Sequence, residues 1–218
     1  GIPSFIDRKK DITDHPLVML ILSMLDIFVH NWSYESVFRY LKTGLTGIAR
    51  ADIDILENYV LACGIKGNQW TREEDWDYRP DGGFDADGIT ERELELLTRV
   101  NQIRRQVTEP IIKFRVRTRG RTRAREMCAA LFDFLCDINV PELIEKMVEE
   151  FKASGELTLA NEYSKIWNTV MEVLDQTVEA MGEDSMGVER FRDILSIGFS
   201  QYQMGLIPPA LDQGLVGS

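Results

Sequence analysis

Seven basic residues take alternate positions in one short stretch, KFRVRTRGRTRAR: Lys113, Arg115, Arg117, Arg119, Arg121, Arg123 and Arg125, with no acid among them. The whole chain carries 25 Lys and Arg against 36 Asp and Glu, a formal net charge of -11. Positive charge is therefore concentrated in one place on an acidic background. Cations grouped in this way can neutralise phosphates and release counterions, which makes all seven candidate contacts to a nucleic-acid backbone. Gly120 and Thr122 interrupt helical pattern here, so the cations are expected to fan out around a helix–loop–helix corner and not along one face. The same charges can instead pair with the chain's own acids, such as nearby Glu126, or meet a protein partner. Charge alone leaves all three readings open.

No other chemistry of comparable strength is present. His15 and His30 are the only two histidines, and neither sits beside a serine, cysteine or carboxylate in a triad-like pattern or with zinc-ligand spacing. His15 reads as part of a helix start and His30 as a helix-end residue that suits the negative end of the dipole. Cys63, Cys128 and Cys136 lie by pattern on apolar helix faces and read as core residues; their odd number and wide spacing fit a reducing cytoplasm. The carboxylate pairs Glu73–Glu74 and Glu149–Glu150 have no acid/base partner and read as solvated faces. DGGFDADGITERE places Asp85, Asp87 and Gly88 like part of a calcium loop, but Gly83 and Leu94 fall where the entry carboxylate and the bidentate glutamate are needed. There is no GxxxxGK[ST] to cradle a phosphate. The sequence thus assigns no catalytic, cofactor-binding or metal-binding residue.

The elements that must position the basic strip are helical. With 218 residues and 44% hydrophobic content, the chain can bury a substantial core. Ile2 to Ile6, with Pro3, reads as an edge strand. Asp14, His15 and Pro16 form a helix start in which a side-chain oxygen accepts an orphan amide, and an apolar helix follows from Leu17 to Val29. Its longest apolar run, Leu17 to Leu25, contains Ser23 and ends before Asp26, well short of the roughly 18 residues of a membrane span. Ser33 caps a second helix with Val37, Phe38, Tyr40 and Leu41 at helical spacing, and Gly44 and Gly47 break it. Asp52 is the expected cap of a third, which Gly64 ends. Thr90 and Glu93 make a capping box. Helical pattern then runs from Glu91 to about Thr118 with a break or kink at Pro110, and resumes from Thr122, from Pro141 to about Ala153, from Glu156 to Met181 as the longest helix, and from Ser185 to Met204. Pro208 and Pro209 stop it, and Ala210 to Ser218 reads as extended. Between these lies an irregular stretch, Ile65 to Ile89, whose Trp70, Trp76, Tyr78 and Phe84 are expected to pin it to the helices.

The first 47 residues carry a resemblance as well as a pattern. IPSFID (2–7), HPLV (15–18) and WSYESVFRYLKTGL (32–45), followed by the looser GIKGNQWTREEDW (64–76), are similar to the AddB subunit of bacterial AddAB (RexAB-like) helicase-nucleases. More distantly, they resemble the point in UvrD-like helicases where the second motor domain gives way to a helical insertion. The resemblance implies an internal fragment of a longer protein and an all-α, irregular multi-helix domain of about seven to eight helices with short extended segments at both ends. Residues 1–15 would leave a preceding motor-like domain, 16–207 would form the helical insertion with its irregular loop at 65–89, and 208–218 would return to the motor. The family complex unwinds and resects double-strand breaks, with ATP hydrolysed by an AddA-like partner subunit and magnesium-dependent nuclease domains. An iron-sulfur cluster is held by cysteines around the AddB nuclease domain, and the cysteine spacing here does not match it. The implied role is that of a non-catalytic domain, cytoplasmic and without a membrane, that helps position DNA or the partner. A free-standing helical interaction or regulatory module is the alternative.

Overall fold

The fold is seen in a computed structural model, which describes residues 10–78 and 90–204, with side chains for 12–78 and 90–202. The described residues form eight α-helices and two pairs of two-residue strands. The expected strand at Ile2 to Ile6, Phe84, the calcium-like Asp85 and Asp87, and the chain from 205 onward lie outside them.

Helix α1 (Pro16–Val29) is the centre of the core. It is apolar all round, and Leu17, Val18, Leu20, Ile21, Met24, Leu25 and Ile27 are fully buried, as a helix enclosed by others must be. The side chain that caps its start is His15 and not Asp14: the imidazole Nδ1 accepts from the Leu17 amide at 3.1 Å. Its end needs no glycine. Asn31 takes φ 45°, and the Trp32 amide donates back to the Ile27 carbonyl at 2.7 Å, the closure that an αL residue permits.

Around α1 pack α2 (Tyr34–Leu41), α7 (Leu157–Met181) and α8 (Val188–Ser200). Ser33 caps α2 through the Ser36 amide at 3.2 Å. Helix α3 (Arg50–Cys63) starts three residues earlier than expected, with Ala49 in the cap position and no side chain bonded there. Asp52 falls inside the helix because its carboxylate takes Arg99 of α4 at 2.7 Å. Gly64, at φ 63°, closes α3, a conformation strained for any residue with a Cβ. A half-buried triad ties α2 to α3: Glu57 accepts from the Tyr34 hydroxyl at 2.5 Å and from Lys42 at 2.6 Å. The Lys42 bond first, and then the Tyr34 bond, hold the Glu57 carboxyl below its ordinary 4.5. A lowered folded-state value means that this contribution is complete above pH 4.5 and is lost as pH falls through the lowered value. Glu57→Gln is expected to flatten the acid limb of stability against pH while changing its shape little above neutrality, which urea titrations at a series of pH values would measure.

Helix α4 (Glu91–Arg117) opens on the expected capping box between Thr90 and Glu93 and runs through Pro110 without ending. The proline costs one hydrogen bond, to the carbonyl of Gln106. Val107 and Phe114, one turn before and one turn after the proline, and Ile111 beside it are sealed into the core and keep the flanking turns together. At 27 residues α4, not α7 with 25, is the longest helix. It is followed by β2 (Thr122–Arg123), α5 (Ala124–Asp137) and α6 (Val140–Ala153). Thr122 therefore does not begin a helix; it pairs with Met186 of β3 (Ser185–Met186), whose pairing also delays the last helix to Val188. The second strand pair sets β1 (Lys10–Asp11) antiparallel to β4 (Gln203–Met204).

The described part of the irregular stretch, 65–78, is pinned by its aromatics. Trp70 and Trp76 are buried with their rings 5.1 Å apart. Asn101 of α4 bonds both the amide and the carbonyl of Trp76, at 2.8 and 2.9 Å. Arg104 is also buried, donates to the carbonyls of Glu74 and Arg72, and lies 5.1 Å from the Trp76 ring centre. The Tyr59 hydroxyl closes the end of the described loop on the Tyr78 carbonyl at 2.7 Å.

Candidate nucleic-acid interface

The seven cations are distributed over four pieces of backbone. Lys113, Arg115 and Arg117 lie on the last turns of α4, Arg119 and Arg121 on the connecting turn, Arg123 on β2 and Arg125 at the start of α5. Helix α4 stops where Thr118, buried, turns its hydroxyl onto the Phe114 carbonyl at 3.0 Å. Gly120 then takes φ 74°, and this reverses the chain toward β2. The corner is thus a helix–turn–strand–helix, with the strand pair fixing Arg123.

The strip divides by partner. Lys113 pairs with Asp137 at 2.6 Å, and Arg117 pairs with Asp133. Asp133 and Asp137 sit one turn apart on α5, so the two pairs step together along adjacent antiparallel helices. Arg123, at 3.9 Å, and Arg125 share Glu183. Glu126, the nearest acid in sequence, pairs with none of the seven among the described residues. Arg115 lies 5.5 Å from the centre of the Phe28 ring, and Arg121 donates to the Ser185 carbonyl at 2.6 Å. Among the described residues no carboxylate pairs with Arg115, Arg119 or Arg121. Every ion pair of the strip is substantially exposed on at least one side. Such pairs contribute about 0–1 kcal/mol each, little enough for a phosphate to replace the carboxylate.

Cys128 is buried and Cys63 half-buried, but Cys136 is exposed on the outer face of α5 and is not a core residue. Burial pushes the Cys128 thiol up to about 12. Burial also raises Cys63 and, with nearby Asp133, Glu142 and Asp137, Cys136. No group of three or more His, Cys, Asp or Glu able to hold a metal occurs among the described residues. An iron-sulfur cluster or a nuclease metal therefore does not fit them. Glu149 and Glu150 pair with Lys152 and Lys146, as a solvated helix face does. No helix among the described residues is long and apolar enough to cross a membrane.

Comparison with known proteins identifies the chain. No family model matches it. Over all 218 residues it is 59% identical to the B-type subunit of the ATP-dependent helicase/deoxyribonuclease of Acetivibrio thermocellus. The proteins of the same name from Clostridium acetobutylicum and Ruminiclostridium cellulolyticum are 55% and 51% identical, again along the whole chain. In each case the chain spans 19% of the relative's length. From end to end the chain is similar to a segment that makes up 19% of these B-type subunits of ATP-dependent helicase/deoxyribonucleases.

Proposed function

We propose that this chain is a non-catalytic helical domain of an AddB-like subunit, within a cytoplasmic helicase-nuclease that processes DNA double-strand breaks for recombinational repair. Identity to proteins of that family along the entire chain carries the reading. It also argues against a free-standing regulatory module, since the match is to a segment of much larger proteins. In this proposal ATP is hydrolysed by an AddA-like partner, and the magnesium and any iron-sulfur cluster belong to other parts of the complex. Residues 16–207 form a helical unit inserted between motor-like segments, and the pairing of Lys10–Asp11 with Gln203–Met204 supports that arrangement.

The unit contributes a sequence-independent DNA contact at its basic corner, where Lys113, Arg115, Arg117, Arg119, Arg121, Arg123 and Arg125 face phosphate. Arg115, Arg119 and Arg121 carry most of it, because they have no carboxylate to give up among the described residues. Phosphate contacts of this kind set affinity and register without reading bases. Fluorescence anisotropy with duplex DNA between about 50 and 200 mM salt tests the contact. Replacing these three arginines by glutamine is expected to flatten the slope of log affinity against log salt by about 2–3. Replacing Lys113, Arg117 and Arg125 should flatten it less. Equal effects, or no binding at low salt, would remove the basic corner from the proposal.

A further inference from the structure

Helices α6 and α7 leave a groove between them on a part of the surface that the basic corner does not use. Its floor is apolar: Pro141, with Ile144 and Val148 both buried. Trp167 of α7, half-buried, lines it as well. The space measures about 470 Å³. Phe132 of α5, 42% exposed, extends the apolar surface beyond it, its ring centre 6.3 Å from that of Trp167. Helix α5 thus turns one flank to the cations of α4, through Asp133 and Asp137, and presents Phe132 to α7 on another. Charge in the groove is confined to one wall. Glu142, Glu145 and Glu149 recur at i, i+3 and i+7, along one side of α6, and all three are exposed. Glu149 pairs with Lys152, an exposed contact that contributes little. Among the described residues no cation pairs with Glu142 or Glu145. The facing rim, Ser164 and Asn168 of α7, is uncharged.

An apolar floor beside an acidic wall repels phosphate, which sets this groove apart from the DNA contact. It also disfavours a second copy of a chain whose net charge is -11, since like charges would meet. Both walls are helices, whose backbone groups are bonded within them, so an extended segment would find no ladder to join. A helix fits the length. From Pro141 to Val148 the floor runs about 10 Å, the span that anchors at i, i+3 or i+4, and i+7 of a docked helix cover. We infer that the α6–α7 groove docks an amphipathic helix of a partner protein, its apolar residues on Trp167, Phe132 and the floor, and its lysines or arginines along Glu142, Glu145 and Glu149. The inference is independent of the DNA contact and goes beyond the proposed function.

The probe is a fluorescein-labelled peptide of leucine, alanine and lysine, about 15 residues long, with leucines at i, i+3, i+4 and i+7 so that they form one apolar stripe. Its counterpart carries glutamate at every lysine. Anisotropy with the whole chain should show the lysine peptide bound about tenfold more tightly than the glutamate peptide, as two or three exposed charge pairs allow. Glu145→Lys with Glu149→Lys should cancel or reverse that preference. Phe132→Ser should weaken the lysine peptide about threefold or more through lost apolar contact. Circular dichroism verifies that both variants keep their helices. The control is Glu91→Lys with Glu95→Lys, at exposed positions around Leu94 at the start of α4; it changes the net charge equally and should leave binding close to that of the parent. A control that weakens binding as much as the groove variant assigns binding to net charge and overturns the inference. A scrambled lysine peptide without the apolar stripe that binds equally well does the same, as does a parent chain that binds neither peptide. Sedimentation of a dimer that Glu145→Lys with Glu149→Lys abolishes assigns the groove to a second copy and also overturns it. All of these outcomes leave the DNA contact at the basic corner untouched.

Discussion

Alanine at position 70 is expected to lower the melting temperature by about 10 °C. Trp70 is fully buried, stacked on Trp32 at 6.0 Å, edge-on to Trp76 at 5.1 Å and against Phe38 at 6.3 Å. Truncating a buried large aromatic costs about 3–5 kcal/mol, and in a chain of this size each kcal/mol moves the midpoint by about 2–4 °C. One effect works the other way. The Trp70 Nε1 donor is buried and finds no acceptor among the described residues, so removing it relieves a penalty of about 1–3 kcal/mol. Phenylalanine keeps a ring there without the orphaned donor, so Trp70→Phe should cost much less than alanine. Thermal unfolding followed by circular dichroism separates the two. An alanine variant melting within about 2 °C of the parent, less than 1 kcal/mol, would show that the aromatic cluster is not what holds this side of the core.

Asp26→Ala is expected to cost about 2–4 kcal/mol, between the value of an exposed pair and that of a fully buried one. Asp26 is the only acid of α1 and is buried. Arg192 of α8 holds it with two guanidinium nitrogens, at 2.8 and 3.5 Å. Taking the carboxylate away strands Arg192, whose side chain is 30% exposed and lies 3.4 Å from Asp193, so water and that neighbour recover part of the loss. Asp26→Asn should fall between the parent and alanine because it still accepts one bond. Urea denaturation with an unchanged m-value would assign the difference to the native state. An alanine variant as stable as the parent would show that the pair merely offsets its own desolvation.

Features set within a few residues were legible in the sequence, because their physics is local. Ser33, Gly64 and the box of Thr90 with Glu93 bond backbone within one turn, and Trp70 and Trp76 announce anchors by size alone. The run of cations was legible for the same reason. What it touches was not, since Asp133, Asp137 and Glu183 come alongside only when α4 meets α5 and β2 meets β3. Tertiary packing also overruled local preference at Pro110, where one lost bond is outweighed by a buried helix face, and at Asp52, where Arg99 competes for the carboxylate. Arg192 and Asp26 lie 166 residues apart, and nothing nearby in sequence marks either as the other's partner.

The rung between Lys10 and Met204 has a further meaning for whatever chain runs through it. Across an antiparallel pair the two Cα atoms stand about 5 Å apart, the spacing that an ordinary hairpin turn spans. Seen from its flanks, the whole bundle therefore stands in for a two-residue turn. The loop-closure entropy of so long an excursion, which grows only with the logarithm of its length, is offset by the bundle's own core. Helices can thus be lengthened, trimmed or recharged within it without altering the spacing of the Lys10–Met204 rung.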